Sequence, residues 1–372
     1  MPADLLVHAL RNPTSTVGLS GANWTQLYRQ ARSTGLLGRL AHNLTAPQGA
    51  APEPGSRPMG LNGHLEAAMR LCQAQSREVH REARFIDHAL AGLGAPVVML
   101  KGAAYALAQL PAAHGRVFSD IDILVPKSHL AQAESLLMMN GWMSSEPSAY
   151  NQRYYRQWMH ELPPMQHVHR NTVLDVHHAI LPQTSRLRSN PALLLADAAP
   201  LPGTQVLHVL APADMVLHSM THLFVNDDMS HAMRDLSDLD LLLRHYSQTP
   251  GWWEQLAPRA AALGLVRPLF YAVTQLRRVW DTPIPTTWLS GSGLGVNDPV
   301  TAVMGAIWNQ IFTIAPLSGD PLAKRLALAA LYLRGHWLRM PLPLLAKHLS
   351  IKALGLHKER GRNSTPSATP TG

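Results

Sequence analysis

Three acids, one histidine and a lysine set the chemistry this chain could carry out. Asp120 and Asp122 stand two apart in Asp120-Ile121-Asp122-Ile123-Leu124-Val125, an apolar run of strand character. On a strand, both carboxylates would leave the same face. Like charges so placed repel unless a cation sits between them. Mg²⁺ (or Mn²⁺) is typically held by one or two carboxylates together with substrate phosphates. A third acid, Asp175, lies in a second alternating run, Val173-Leu174-Asp175-Val176-His177, where His177 shares its face. His177 is thus placed to support a ligand or to border an acceptor. Three acids on neighbouring strands can hold two metal ions for in-line displacement at phosphorus. Because such acids repel without a cation, Asp122→Asn and Asp175→Asn are each expected to keep the fold, or to stabilise it slightly, in the absence of metal.

Upstream, the apolar run Val97–Leu100 reads as a short buried strand. Lys101-Gly102-Ala103 follows, opening a stretch to Leu110 rich in helix formers. Lys101 is either a phosphate-binding cation or a solvated strand end. Gly102 permits a tight strand-to-helix turn, and a helix start can hold an anion through its free N–H groups. Arg116, four residues before the acid pair in a Gly-containing loop, either neutralises phosphates or pairs with Asp120.

Lys101-Gly102-Ala103, Arg116, Asp120-x-Asp122 and Asp175-Val176-His177 together resemble the nucleotidyltransferase superfamily typified by DNA polymerase β. The closest likeness is to its family of largely uncharacterised bacterial nucleotidyltransferase-family proteins, over roughly residues 85–180. The resemblance implies a small mixed sheet with flanking helices and two Mg²⁺ ions on three acids. It implies transfer of an NMP from an NTP, with release of pyrophosphate. Asp120 and Asp122 would bind both metals, and Asp175 the catalytic metal near the acceptor. Gly102 and the following helix start, including Ala103, would lie against the triphosphate. The superfamily usually carries Gly-Ser after its first strand; Gly102-Ala103 lacks that hydroxyl. Small molecules, glycans, proteins and RNA all remain open as acceptors.

The elements that must position these residues read as an α+β chain. Its core is a small mixed β-sheet, flanked by N-terminal helices and followed by a helical domain. Residues 1–95 form an N-terminal helical region with a loop at 47–63, and 96–182 the nucleotidyltransferase core. Residues 183–345 form the helical domain, and 346–372 a basic, largely disordered tail. A long helix is expected over 64–93, apolar at Leu65, Met69, Val79, Phe85, Ile86 and Leu90. Strand 97–100, helix 103–110 and strand 120–125 follow, then helix 128–140 with Ser128 as its N-cap and Gly141 just past its end. Residues 142–165 give no clear period, although Tyr150, Tyr154, Tyr155 and Trp158 could line a pocket or simply pack. Residues 166–180 read as a hairpin turning at Arg170-Asn171. Helices are expected from Pro212 to Phe224 and from Ala232 to Tyr246. Trp24, Leu27, Ala31, Gly35, Leu36 and Leu40 recur at one offset as Trp253, Leu256, Ala260, Gly264, Leu265 and Leu269. That echo reflects either convergent helix–Gly–helix corners or a duplicated unit.

Composition narrows the classes. With 46% hydrophobic and 15% charged residues over 372, the chain is globular rather than disordered. The single cysteine, Cys72, excludes a disulfide framework and a cysteine-based zinc site. The 20 histidines include His167-x-His169 and His177-His178, yet no His-Glu-x-x-His supports zinc. There is no Gly-x-x-x-x-Gly-Lys-Ser/Thr and no Gly-x-Ser-x-Gly. The opening Met1-Pro2-Ala3-Asp4 has no basic signal-peptide region, and no apolar run approaches the ~18 residues of a membrane span. The expected location is cytoplasmic, with contact to the membrane periphery as an open variant. The net charge of +8 is local: residues 321–372 carry nine of the 32 Lys and Arg but only one of the 24 acids. Residues 322–357 read as amphipathic helices and 358–372 as disordered, so this end could touch anionic lipid or nucleic acid weakly. Two rivals to catalysis follow: a nucleotide-binding protein of this fold without turnover, and a basic RNA- or membrane-associated interaction protein.

Overall fold

An apolar strand must be covered, and the elements packed around the first two strands leave none of their residues exposed. The computed structural model describes residues 4–45, 57–58, 60–146, 148–294, 299–314 and 319–339. Four helices come first: α1 (Leu5–Arg11), α2 (Gly21–Ser33), α3 (Leu37–Thr45) and α4 (Leu61–Ala89). Next come β1 (Val97–Met99), α5 (Lys101–Leu107), β2 (Ile121–Leu124), α6 (Leu130–Met139), β3 (Trp142–Ser144), α7 (Ala149–Trp158), β4 (Met165–His167) and β5 (Val173–His177). A short α8 (Pro191–Ala196) leads to β6 (Ala199–Pro200) and β7 (Leu207–Val209). The rest is helical: α9 (Pro212–Val225), α10 (Ala232–Tyr246), α11 (Trp252–Ala262), α12 (Val266–Trp280), α13 (Thr286–Gly291), α14 (Pro299–Ile311) and α15 (Leu322–Arg339).

The strands form one mixed sheet in the order β3-β4-β5-β2-β1-β7-β6, so the fold is α+β as the sequence implies. β2–β5 and β1–β7 are parallel; the other neighbours are antiparallel. Every residue of β1 and β2 is buried. Among the helices, α9 is buried along most of its length because α10, α11 and α12 all pack on it. The antiparallel β4–β5 pair turns through Asn171, whose φ of 58° is the left-handed conformation that Asn tolerates well.

Several local expectations shift. α5 starts at Lys101 rather than residue 103 and stops at Leu107, because Gln109 is left-handed (φ 53°) and Pro111 follows. Ser128 does not cap α6; it lies in a 3₁₀ turn over Lys127–His129 and bonds to His129. Phe85, expected on the apolar face of α4, is exposed and lies under the Arg170 guanidinium, 4.2 Å from its ring centroid. The stretch without clear period holds β3 and α7, the latter capped by Ser148, which accepts from the Asn151 N–H. The segment beyond residue 339, including the basic tail, lies outside the described residues.

The two corners of the internal echo share a helix ending. Gly35 (φ 71°) and Gly264 (φ 69°) are both left-handed. Leu36 N–H donates to Ala31 C=O and Leu265 N–H to Ala260 C=O, at 2.8 and 2.7 Å. This is the Schellman ending, with Gly at the left-handed position and a buried apolar residue after it. Cap geometry therefore accounts for the Ala, Gly and following Leu of the repeated pattern.

Candidate functional site

Parallel, in-register pairing of β2 and β5 sets Asp122 opposite Asp175. Residues so paired project from the same face, so the sheet joins acids that are distant in sequence. Asp120 stands one residue before β2, exposed, and its carboxylate accepts from the Ser119 hydroxyl at 2.6 Å. Carboxylate oxygens of Asp120, Asp122 and Asp175 lie within 4.8 Å of one another.

The three acids sit in different surroundings. Asp122 is buried and accepts from Lys101 Nζ at 2.7 Å and from His177 Nε2 at 3.0 Å. Burial alone would raise its pKa, but Lys101 and His177 hold it well below the usual carboxylate range. Asp175 lacks such partners, and its Oδ1 is enclosed without a hydrogen bond. Burial first, then the charges of Asp122 and Glu161, push its pKa up to about 7. Equal repulsion among the acids was expected; instead one acid is neutralised by cations and another is left strained. An all-oxygen donor set with an orphaned carboxylate oxygen fits a hard divalent cation.

Lys101 is not a solvated strand end. It bonds Asp122 from a left-handed backbone (φ 47°), and its pKa is raised because Asp122 outweighs the lowering effect of burial. His177 is held between two carboxylates, Nε2 on Asp122 and Nδ1 3.1 Å from Glu161. Only the imidazolium donates from both nitrogens, and its pKa is raised: burial opposes this, and the Asp122 hydrogen bond and both acid charges prevail.

Arg116 does not pair with Asp120. Its Nε donates to Asp238 on α10 at 2.8 Å, and its guanidinium lies near the Phe118 and Tyr105 rings. Asp238 also accepts from Arg39 of α3 at 2.9 Å, so one carboxylate joins two buried guanidinium groups. Gly102 is small for a local reason: a Cβ there would collide with the Arg116 guanidinium and press on Phe118. Ala103 is buried in the core and does not reach the cleft wall.

These groups line a cleft of about 460 Å³ between the β2–β5 face and the helical half. Lys101, Asp120, Asp122, Asp175 and His177 form one wall; Arg116, Arg234, His231 and His222 come from the other sides. Of the four aromatic residues singled out between 142 and 165, Tyr155 lines the cleft. Tyr154 packs between Tyr155 and Trp158. Neither His167 nor His178 joins a group of metal donors among the described residues; His167 bonds Arg170 and packs on Trp142. Glu161, His160 and Arg39 went unnoticed in the sequence. Glu161 and His160 fall in the stretch without period, and Arg39 is one arginine among many on a helix surface. Asp238 carried a faint signal, as an acid on a buried face of α10.

A family model described as an uncharacterised nucleotidyltransferase matches residues 20–281. No curated protein matches the chain significantly.

Proposed function

The chain belongs to this family of nucleotidyltransferases, and from that premise we propose that it transfers a nucleoside monophosphate from an NTP to an acceptor hydroxyl. The oxygen–phosphorus bond to the acceptor forms at the α-phosphorus, and the bond to the β-phosphate oxygen breaks, releasing pyrophosphate. The observation that carries the reading is the in-register Asp122–Asp175 pair with Asp120 beside it, at the wall of a cleft that also holds cationic side chains.

Asp120, Asp122 and Asp175 would hold Mg²⁺ (or Mn²⁺), which when bound neutralises the triphosphate and lowers the pKa of the acceptor hydroxyl. Lys101 would exchange Asp122 for a phosphate oxygen. Arg116, from the loop before β2, and Arg234, from α10, would face the triphosphate, with Arg116 fixed in place by Asp238. Gly102 keeps the Arg116 side of the cleft open. His177 would hold the Asp122 carboxylate in orientation through its Nε2–H. Asp175 would border the acceptor. In this reading residues 96–182 carry the chemistry and the helices of 183–345 close the cleft. A cytoplasmic setting suits an NTP-consuming reaction, and no helix among the described residues is long and apolar enough to cross a membrane.

Two observations favour a second reading, nucleotide binding without turnover: Lys101 already occupies Asp122, and Ala103 offers no hydroxyl to phosphate. Incubation with Mg²⁺, each α-labelled NTP and a cell extract separates the two. Label transferred to an extract component, with equimolar pyrophosphate, supports transfer. Tight NTP binding with no transfer to any component supports binding alone.

A further inference from the structure

Beside the acids, a second donor group assembles around His177, the histidine that also holds Asp122. The segment at His160 and Glu161 runs alongside β5: Leu162 N–H donates to Val176 C=O at 2.9 Å, and His178 N–H to His160 C=O at 2.8 Å. This pairing sets Glu161 directly opposite His177. Glu161 Oε2 is 3.1 Å from His177 Nδ1, and the His160 ring lies against the His177 ring with centroids 5.3 Å apart. Donor atoms of all three residues lie within 4.8 Å of one another. His160 Nδ1 is enclosed by protein and makes no hydrogen bond. An enclosed ring nitrogen without a partner is costly unless something binds it.

We propose that His160, Glu161 and His177 Nδ1 form a site for a transition-metal ion of the Zn²⁺ type, separate from the all-oxygen cluster of Asp120, Asp122 and Asp175. Two imidazole nitrogens and a carboxylate suit Zn²⁺, whereas Mg²⁺ prefers oxygen alone. His177 joins the two sites. The ion would displace the Nδ1 proton of His177 to solvent, and Nε2–H would keep its hydrogen bond to Asp122, the carboxylate–histidine–metal arrangement that fixes a ligand's tautomer and orientation. The ion would clip the 160–161 segment to β5 and lock the ring that orients Asp122. The site stands or falls independently of nucleotide transfer, because its test reads metal alone.

The test is equilibrium dialysis of the full chain against Zn²⁺, with bound metal counted by mass spectrometry, for wild type, Asp120→Asn, Glu161→Gln and His160→Ala. One equivalent should bind wild type and Asp120→Asn alike. Glu161→Gln and His160→Ala should weaken binding at least about 10-fold, the smallest loss seen on removing even a supporting partner of a metal ligand. Equal affinity in both of these variants would overturn the proposal, as would loss confined to Asp120→Asn. Co²⁺ bound to wild type supplies a check that needs no variant. Intense visible bands expected of nitrogen-containing, low-coordinate geometry support the site, and the faint spectrum of an octahedral oxygen shell contradicts it.

Discussion

Replacing Asp175 by Asn removes a half-buried carboxyl whose pKa is about 7 in the folded chain against 3.8 otherwise. Below about pH 4 the group is neutral in both states and costs nothing. Between about 4 and 7 the unfolded chain ionises first, so stability falls as pH rises, and above 7 the penalty stays constant. The upper bound is about 4 kcal/mol, reduced because the group borders the cleft. Asp175→Asn should therefore raise the melting temperature at pH 8 without metal and flatten its decline from pH 4 to 7. Denaturation across that range checks this. Asp122→Asn should do the opposite. It strips the charge that Lys101 and His177 share and should destabilise by roughly 1–3 kcal/mol, as loss of a buried hydrogen-bonded partner does. Lys101→Ala makes a sharper case, because two affinities should move in opposite directions. Without Lys101 the acids should bind Mn²⁺ more tightly. NTP binding should weaken roughly 10- to 100-fold, the worth of one charge-assisted hydrogen bond. Titration calorimetry with each ligand reads both, and two changes of the same sign would contradict the exchange. The acids themselves were legible in the sequence, since Asp-x-Asp and Asp-x-His on alternating runs place them on strand faces. Their unequal environments were not, because these depend on Lys101, Glu161 and His177 meeting in space.

Three elements far apart in sequence meet at Asp238. α10 carries this carboxylate, α3 brings Arg39, and the loop before β2 brings Arg116, all buried. Arg39 also donates to Ser237 Oγ and to the Ala112 carbonyl, tying the turn after α5 into the same junction. Removing one partner of a buried ion pair strands the other charge, typically at about 3–5 kcal/mol. Asp238→Ala should reach that range, since two guanidinium groups lose their carboxylate together. It should also displace Arg116 and weaken NTP binding. Urea denaturation measures the first effect, and a loss under about 1 kcal/mol would show that the junction is not what joins these elements. The elements read well from sequence where a period was long or a turn residue decisive: α9, α10, the β4–β5 hairpin and the two Gly corners. They read poorly at α5, where a left-handed Gln109 ends the helix early, and at β3 and α7, two short elements that share no period.

Across the whole molecule, the cleft takes one wall from the sheet and the other from α9, α10 and the loop between them. Arg339 at the end of α15 reaches that loop, donating to Asp227 at 2.6 Å. Mg²⁺ and NTP bound together should therefore stabilise the chain more than either alone, by an amount that grows with ligand concentration over Kd. They should also slow hydrogen exchange at residues 226–231. A mixed sheet with helical flanks was readable from the acid-bearing strands and their resemblance. How the helical half meets the sheet was not, because buried pairs such as Arg39–Asp238 leave no periodic trace in sequence. The central claim is that Asp120, Asp122 and Asp175 act as one metal-binding unit for nucleotidyl transfer. Its most direct test is pyrophosphate release with Mg²⁺ and NTP, measured beside metal-dependent NTP binding, in wild type, Asp122→Asn and Asp175→Asn. The account predicts no release from either variant, with metal–NTP affinity lost in Asp122→Asn and largely kept in Asp175→Asn. Wild-type rates of release in either variant would contradict it.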